Sequence, residues 1–496
     1  NATNNNVDLS GYYLKDNIND TGKWVFPEGS IINSNDYIFL WADGENMVPG
    51  DTYIRPFTFD NVIIQSYHTN FKLSKYGEEI ALYNSQGLLI DYIEYGPQLY
   101  DVSYGRKPDG GENWYYFGEP TPEASNSTEG LSTLVYTETP AISPEGNMYQ
   151  STQSVSLSVN SNSAEIYYTT DGSIPTKSSH LYSNPVFIGE TTVIKVRAFE
   201  NGKLPGKVIA HTFFINEENV NLPIISFSTN PAYLFDDEKG IYDNVLKMKE
   251  IPVTLEYYES YGNKSFTINA GSRIAGLNIW GFAQKPFTVY LRGKYGDESI
   301  NYKIFKENNT CIFTKLSLRN AGDDWEGTFF RDPMMQYITV GQMNNAVQCY
   351  QPAILYINGE YWGLINVRDK FDEQYFMSNY NVAPNNIDHL KYGFDDYHNF
   401  DLYTELGEST EYVDMVQFMV NNDMSVQSNF DYVDSLMDIG SYMDWVIQEI
   451  YVANTSWRHN HEWWRNKTNN GKWQWMNIDM DRGFNISKIG SNLLVD

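Results

Sequence analysis

The stretch YVANTSWRHNHEWWRNKTNNGKWQWMNIDMDRGF, residues 451–484, carries the most informative pattern in this sequence. Its second half predicts a short strand over residues 472–478, which ends immediately before Asp479 and Asp481. Its first half is a polar segment centred on Asn454, Ser456, His459, Asn460 and His461. An amide and two carboxylates arranged in this way suit the hard cations Mg²⁺ and Mn²⁺. The alternative interpretation is a surface turn, because Asp and Gly are common turn residues.

Asp residues just before a Gly-Phe pair are also a feature of phosphoryl-transfer sites. Asp479 and Asp481 precede Gly483 and Phe484, and protein kinases use an Asp in a similar setting to hold the metal that binds ATP phosphates. The stretch therefore favours phosphate and metal chemistry over the plain turn only if the rest of the chain supplies the matching parts.

Composition limits the classes of function. The chain has 496 residues, which suggests about three domains. With 34 basic and 63 acidic residues its formal charge is −29, so nucleic acid is not an expected partner. The apolar runs are strand-sized and predict no membrane span. The abundant Asn, Tyr and Ser suggest a secreted or surface protein, in which Cys311 and Cys349 have the option of one disulfide.

The first unit, residues 1–128, predicts an all-β sandwich. Alternating runs at residues 37–41, 79–83 and 88–93 are separated by turn residues such as Asp43-Gly44. The segments DLSGYYL (8–14), FPEGS (26–30), YIFLWADG (37–44), NFKLS (70–74) and YGR (104–106) resemble the lamin-tail domain, a binding or spacer module. Members of that family begin with a further strand, so we expect this chain to start inside its first domain.

The second unit, residues 129–216, is predicted to hold a linker followed by a second β-sandwich. Residues 118–153 are rich in Pro, Thr, Ser and Glu and predict a semi-extended linker. Ile194, Val196 and Ala198 alternate with Lys195 and Arg197, which predicts one buried and one solvent-exposed face. The segment IYYTTDGSIPT (166–176) resembles the small sandwich at the C-terminus of chitobiase, whose role is usually structural.

The third unit, residues 217–496, mixes strands with later helices and predicts a two-lobed α+β domain. Strands are expected at residues 251–256, 265–270 and 287–292. Asp332 followed by Pro333 predicts a helix start with Asp332 as the N-cap. Met443, Val446, Ile447, Ile450 and Tyr451 fall at helical spacing on one apolar face, which predicts that residues 441–451 form a core helix leading into the polar segment.

A series of short motifs in this unit resembles the CotH kinase family of atypical protein kinases. They are LPIIS (222–226), GIY (240–242), GSRI (271–274), QKPF (284–287), LRN (318–320), DW (324–325), FRD (330–332), INGEYWG (357–363), VRD (367–369) and DMDRGF (479–484). Members of the family continue beyond the last motif, so we expect the C-terminal lobe to be truncated here. The resemblance implies ATP and Mg²⁺ or Mn²⁺ as cofactors.

The resemblance also implies roles for individual residues. Lys285, with Arg273 and Arg319, would contact ATP phosphates, and Asn460, Asp479 and Asp481 would hold the metal. For Lys285 the alternative is a solvated lysine at a strand edge, and for Asn460 a turn residue. Arg319 has the alternative of a structural ion pair.

The catalytic Asp of kinases is missing. It lies five positions before the metal-binding Asn, which is Thr455 here, and a register set by Trp457 gives Ser456 instead. His459 or His461 is a substitute base, because imidazole titrates near neutral pH. His459, His461 and Glu462 alternatively form part of a zinc site.

Two hypotheses follow for the whole chain. The first is a secreted or surface-attached bacterial protein with a CotH-type kinase that phosphorylates Ser/Thr of an extracellular protein. The second is a catalytically weak or inactive pseudokinase in an adhesion, glycan-binding or structural protein. Metal-dependent hydrolysis at the Asp479 and Asp481 pair is a third class, supported by that pair alone.

Overall fold

The computed structural model describes residues 1–54, 61–100, 102–218, 221–245, 249–260, 262–276, 281–306, 311–394 and 400–485. Strands predominate in the N-terminal half and helices appear late in the chain, which confirms the predicted order of two β units and one α+β unit. No helix among these residues is long and apolar enough to cross a membrane. Cys311 and Cys349 form no disulfide with each other.

The first unit is built from short strands, whose pairs are antiparallel except for the parallel pair of residues 40–41 with residues 67–68. Its main sheet has the order β10-β9-β2-β3, and a small core forms around Leu9, Trp24 and Phe26. The strands are β1 (Val7–Asp8), β2 (Tyr13–Lys15), β3 (Trp24–Val25), β4 (Ile31–Ile32), β5 (Leu40–Trp41), β6 (Thr52–Ile54), β7 (Asn61–Ile63), β8 (Tyr67–His68), β9 (Glu78–Tyr83), β10 (Leu89–Tyr95), β11 (Ser103–Arg106) and β12 (Trp114–Phe117).

The second unit is a sandwich of two sheets, ordered β13-β15-β18 and β14-β20-β19-β16-β17. Its core contains Val155, Leu157, Ile194 and Val196, as the alternation predicts. The strands are β13 (Ala141–Ser143), β14 (Met148–Tyr149), β15 (Gln153–Ser158), β16 (Glu165–Thr169), β17 (His180–Leu181), β18 (Val186–Ile188), β19 (Thr192–Phe199) and β20 (Ile209–Ile215).

Part of the predicted linker, residues 118–153, is incorporated into the sheets. Leu131 is buried and pairs with Tyr116 of β12. Strands β13 and β14 pair with β15 and β20. The Pro-rich composition therefore marks turns between short strands here as well as a connection between units.

The polar face of β19 is not solvated as the alternation predicts. Lys195 is only 1% exposed, because the third unit covers this face, and its Nζ donates to the carbonyl oxygen of Ser228 at 3.2 Å. Beside it, Thr212 Oγ1 lies 2.7 Å from Ser226 Oγ and donates to the buried carboxylate of Glu256. The second unit thus packs on the third through buried polar contacts.

The turn after β16 lies so close to the third unit that it requires a glycine. Gly172 has φ +86°, and a Cβ there would lie 2.2 Å from Asn358 Oδ1 and 2.6 Å from the carbonyl oxygen of Thr229. Gly172→Ala is expected to lower the free energy of unfolding by about 1–3 kcal/mol, from backbone strain together with this clash. Chemical denaturation measures the loss.

Gly202→Ala is the matched control for that prediction. Gly202 has φ +77° but no atom within 4 Å of the added Cβ, so only the backbone strain applies. Equal losses in the Gly172 and Gly202 variants would contradict the close contact between the two units.

The third unit begins with a closed barrel of order β21-β22-β23-β24-β27-β29-β28. Large apolar side chains such as Phe227, Phe287, Leu318 and Leu355 fill its core. Its elements are β21 (Ile224–Ser228), α1 (Pro231–Phe235), β22 (Ile251–Tyr258), β23 (Lys264–Ile274), β24 (Phe287–Tyr290), β25 (Ile300–Asn301), β26 (Ile312–Phe313), β27 (Lys315–Arg319), α2 (Arg331–Tyr337), β28 (Tyr350–Ile357) and β29 (Glu360–Arg368).

The second lobe combines a four-stranded sheet, β31-β30-β32-β33, with helices. Trp445, Trp463, Trp473 and Trp475 form most of its core. Its elements are α3 (Glu373–Tyr380), β30 (Ile387–Phe394), β31 (Phe400–Leu406), α4 (Thr410–Asn421), α5 (Gln427–Leu436), α6 (Ile439–Val452), β32 (His461–Asn466) and β33 (Gln474–Met476).

Helix α6 exists as predicted, but the prediction of its buried face is wrong. Met443, Ile447 and Tyr451 are 49%, 48% and 70% exposed. The buried side chains include Trp445 and the polar Gln448 and Glu449. Gln448 is accommodated because its amide donates to the carbonyl oxygen of Met335 and accepts from Asn477. The polar side of α6 at Gln448 therefore faces α2 and the segment of residues 477–480.

Candidate site at the junction of the two lobes

The two halves of the 451–484 stretch meet at Asp479. Helix α6 ends at Val452, and the chain turns so that Asn460 Nδ2 donates to the carboxylate of Asp479. Ser456 Oγ lies 3.4 Å from the carbonyl oxygen of Asp479. Asp479 has φ 48°, in the left-handed region that non-glycine residues seldom adopt outside functional or strongly constrained sites.

Arg319, at the end of β27, joins the barrel to this loop. Its guanidinium donates to Asp479 and, at 2.7 Å, to Asp481 Oδ2. The backbone N–H of Asp323 donates to the same Asp481 oxygen at 3.1 Å. Gly322 permits this approach, because a Cβ there would lie 2.2 Å from Asp481 Oδ2. The positively charged guanidinium of Arg319 thus lies between the carboxylates of Asp479 and Asp481.

A buried ion pair holds the backbone between Asp479 and Asp481 in place. Asp332 and Arg368 are 2% and 1% exposed and form a salt bridge. Asp332 Oδ1 also accepts from the backbone N–H of Met480 at 2.8 Å, which fixes the residue between Asp479 and Asp481. The prediction that Asp332 is the N-cap of α2 is wrong, because α2 begins at Arg331, two residues before the expected first helical residue Pro333, and Phe330 is at the cap position.

The environment shifts the pKa values of these carboxyls in different directions. Burial, together with the negative charge of Asp479, raises the pKa of Asp481 to about 7 despite the opposing effect of Arg319. Burial also raises the pKa of Asp332, but Arg368 and Arg319 outweigh it and lower the pKa below its ordinary value. Asp481 consequently has an unbalanced negative environment that an added cation would relieve.

The donor set at this position fits a hard divalent cation. Two carboxylates and one amide converge, and the single positive charge of Arg319 balances only one of the two carboxylate charges. The amide of Asn460 can present either its nitrogen or its oxygen, since the two ends exchange by rotation. Within the described ranges no group of three or more His, Cys, Asp or Glu side chains forms a metal cluster, so an Mg²⁺ or Mn²⁺ here would rely on Asp479, Asp481, Asn460 and non-protein oxygens.

The zinc alternative for His459, His461 and Glu462 is not supported. Glu462 pairs with His389 at 3.0 Å. The ring of His461 packs 4.9 Å from the ring of Trp445, and burial lowers the pKa of His461 to about 4. His461 is thus half-buried against Trp445, and its lowered pKa makes it a weaker base than an ordinary histidine.

The residues proposed for the catalytic position lie around the same turn. Ser456 is 2% exposed, and its Oγ donates to Asn454 Oδ1 at 2.8 Å. Thr455 is half-buried, and the backbone N–H of His459 donates to the carbonyl oxygen of Ser456 at 3.2 Å. Because residues 455 and 456 are Thr and Ser, this turn lacks the Asp that serves as catalytic base in protein kinases.

The other two predicted phosphate ligands are on the barrel, apart from this network. Lys285 Nζ donates to the carbonyl oxygen of Phe282 at 3.2 Å and lies 5.6 Å from the ring centre of Tyr242, and burial lowers its pKa. The guanidinium of Arg273 lies 5.2 Å from the ring centre of Tyr290. Of the three predicted phosphate ligands, Arg319 is the one that contacts the Asp479 and Asp481 pair directly.

Glu449 and Arg368 are site-supporting residues that sequence reasoning missed. Glu449 is fully buried on α6, and burial, reinforced by Asp479 and Asp332, raises its pKa to about 8. The sequence feature that pointed to Glu449 was the polar Gln448-Glu449 pair within a largely apolar helix. The feature that pointed to Arg368 was weaker, namely its position in the VRD motif.

Glu449 gives a testable dependence of stability on pH. Because its folded pKa lies above its unfolded value, the folded state holds the extra proton and stability falls as pH rises from about 5 to 8. The contribution of this group is at most about 1.4 kcal/mol per pH unit. Glu449→Gln is expected to reduce that slope in denaturation measurements, while the exposed Glu405→Gln should leave it unchanged. An unaltered slope in the Glu449 variant would refute the assignment.

Comparison with known families agrees with this architecture. The barrel and the helical lobe define a two-lobed α+β domain with an acidic site at the junction of its lobes. Residues 273–492 match the family model of the CotH kinase protein, residues 144–210 that of the chitobiase/beta-hexosaminidase C-terminal domain, and residues 1–97 that of the Lamin Tail Domain. The third unit therefore carries a CotH-type kinase fold, and all three predicted resemblances are confirmed in their order. No curated protein matches the chain.

Proposed function

We propose that the third unit binds ATP together with Mg²⁺ or Mn²⁺ and transfers the γ-phosphoryl group to Ser/Thr hydroxyls of extracellular proteins. The observation that carries this proposal is that Asp479 and Asp481 both pair with Arg319, while Asn460 contacts Asp479, within a CotH-type fold. The resemblance and the acidic, Asn- and Tyr-rich composition support a bacterial protein that is secreted or attached to the cell surface.

In this proposal the chain's residues act by positioning and by balancing charge. Asp479, Asp481 and Asn460 would hold the metal, which supplies neutralisation of phosphate charge. Arg319 orients both carboxylates, and the Asp332–Arg368 pair fixes the backbone of Met480 between them. Lys285 and Arg273 are proposed to contact nucleotide phosphates from the barrel.

A specific observation favours a second candidate function, that of a catalytically weak or inactive pseudokinase in a surface or glycan-binding protein. Thr455 and Ser456 occupy the two registers of the general base, and neither is an acid. Loss of a general base typically costs about 10²–10⁴-fold in rate. Binding of ATP and metal needs only the positioning residues, so it would survive this loss.

Transfer of labelled γ-phosphate separates the two candidates. The purified chain is incubated with Mn²⁺ or Mg²⁺ and labelled ATP, and label on the chain and on a generic acceptor protein is followed over hours. Phosphoprotein that forms with wild type but not with Asp479→Asn supports the kinase. Nucleotide binding without any label transfer supports the pseudokinase. The absence of both binding and transfer would overturn the proposal.

A further inference from the structure

A large cleft lies between the second unit and the barrel, away from the candidate site. Its volume is about 690 Å³, within the range of small-molecule sites. Strand β19 contributes Lys195 and Arg197, and the barrel side contributes Asn230, Tyr233 and Asn269. Because both units form its walls, it exists only in the assembled chain.

The charge of this cleft is opposite to that of the chain. Lys195, Arg197 and Lys207 line it, and none of the described lining residues is an Asp or Glu, although acidic residues outnumber basic ones by 63 to 34 overall. Asp171 is near enough for its charge to act on Lys195, but it is not a lining residue, and its carboxylate accepts from the backbone N–H and hydroxyl of Ser173. The cleft is therefore a local site of attraction for anions.

Lys195 is a buried cation that forms no salt bridge with any described residue. It is 1% exposed, and among the described residues no carboxylate oxygen lies within 4 Å of its Nζ, which donates only to the carbonyl oxygen of Ser228. Burial lowers its pKa to about 7, although Glu256 and Asp171 oppose this effect. A buried ammonium without a paired anion is costly, and a bound oxyanion would remove that cost.

The remaining lining groups indicate what else the ligand carries. Tyr136, Tyr233 and Tyr295 also line the cleft, and a tyrosine ring combines an apolar face with a polar hydroxyl. Asn230 Oδ1 accepts from the N–H of Ala232 and Asn269 Oδ1 accepts from Thr254 Oγ1, so their amide groups remain as donors. Donors beside aromatic faces suit a compact ring that bears hydroxyl groups.

We propose that this cleft binds a hydroxylated organic acid of sugar size, such as a uronic acid, with its carboxylate against Lys195 and Arg197. The site uses none of the residues assigned to phosphoryl transfer. Its occupation is therefore independent of whether the third unit is an active kinase.

The test uses the full chain with glucuronate as the probe, followed by calorimetry and thermal shift. Glucuronate is expected to bind and to raise the melting temperature, whereas glucose and inorganic sulfate should bind at least about tenfold more weakly, a difference of about 1.4 kcal/mol. Equal binding of glucose would overturn the anionic part of the proposal. Equal binding of sulfate would overturn the hydroxylated ring, and no binding of glucuronate would overturn the site.

Three variants locate the binding. Lys195→Met and Arg197→Met each remove one cation and should weaken glucuronate binding at least tenfold, and the second keeps the test decisive if the first fails to fold. Lys177→Met removes an exposed lysine of the same unit outside the cleft and should bind as wild type. Unchanged affinity in both cleft variants would refute the assignment of glucuronate binding to this cleft.

Asp479→Ala should also bind glucuronate with wild-type affinity, which separates this proposal from the kinase site.

Discussion

Replacing Asp479 by Ala is expected to abolish metal-dependent binding of ATP. The substitution removes a carboxylate that contacts both Arg319 and Asn460, and it leaves Asp481 as the one remaining acidic ligand. We expect the affinity for ATP with Mg²⁺ to fall by a factor of about 100 or more, at least about 2.7 kcal/mol. Calorimetric titration of the variant against wild type measures this loss.

Asp434→Ala is the control for this experiment. Asp434 lies on α5, is about half exposed and pairs with Lys472 at 3.4 Å, so its removal changes the net charge equally without touching the site. The control should retain wild-type affinity. If Asp479→Ala also retained it, Asp479 would not be a metal ligand.

Breaking the buried pair of Asp332 and Arg368 is expected to cause the largest loss of stability. Asp332→Ala leaves the guanidinium of Arg368 buried without its carboxylate and removes the acceptor of the Met480 N–H. Removing one partner of such a pair typically costs about 3–5 kcal/mol. Denaturant unfolding followed by tryptophan fluorescence reports on this unit, because its second lobe holds five buried tryptophans.

The exposed pair of Lys391 and Glu405 provides the comparison. Its N–O distance is 4.0 Å and both side chains are more than a third exposed, so Glu405→Ala should cost less than about 1 kcal/mol. Similar small losses in both variants would show that the Asp332–Arg368 pair does not support the fold. Because the folded pKa of Asp332 is lowered, its stabilisation should be present at neutral pH, start to decline near the ordinary pKa of an Asp, and be lost only as pH falls through the lowered folded pKa.

Local patterns predicted the order of the units and three of the seven barrel strands. The expected strands at 251–256 and 265–270 appear as β22 and β23, because their alternating apolar residues fill the barrel. The convergence of Asn460 with Asp479 was also predicted from sequence, since a turn and a short returning strand are enough to bring them together.

Contacts between distant segments could not be read in this way. The exposure of Lys195 was mispredicted because the covering surface comes from the third unit, which periodicity within β19 cannot reveal. The buried face of α6 was mispredicted for a related reason. Met335 of α2 and Asn477 supply hydrogen-bond partners that bury Gln448 together with the adjacent Glu449, and the apolar Ile447 and Tyr451 are left outside.

Calorimetric titration of the wild-type chain with ATP, in Mg²⁺, in Mn²⁺ and in chelator, tests the central claim most directly. Asp479, Asp481 and Asn460 predict saturable binding with either metal and none in chelator, accompanied by a rise in melting temperature, because a ligand that binds the native state stabilises it. Equal binding with and without metal, or no binding under any condition, would contradict the assignment of this site.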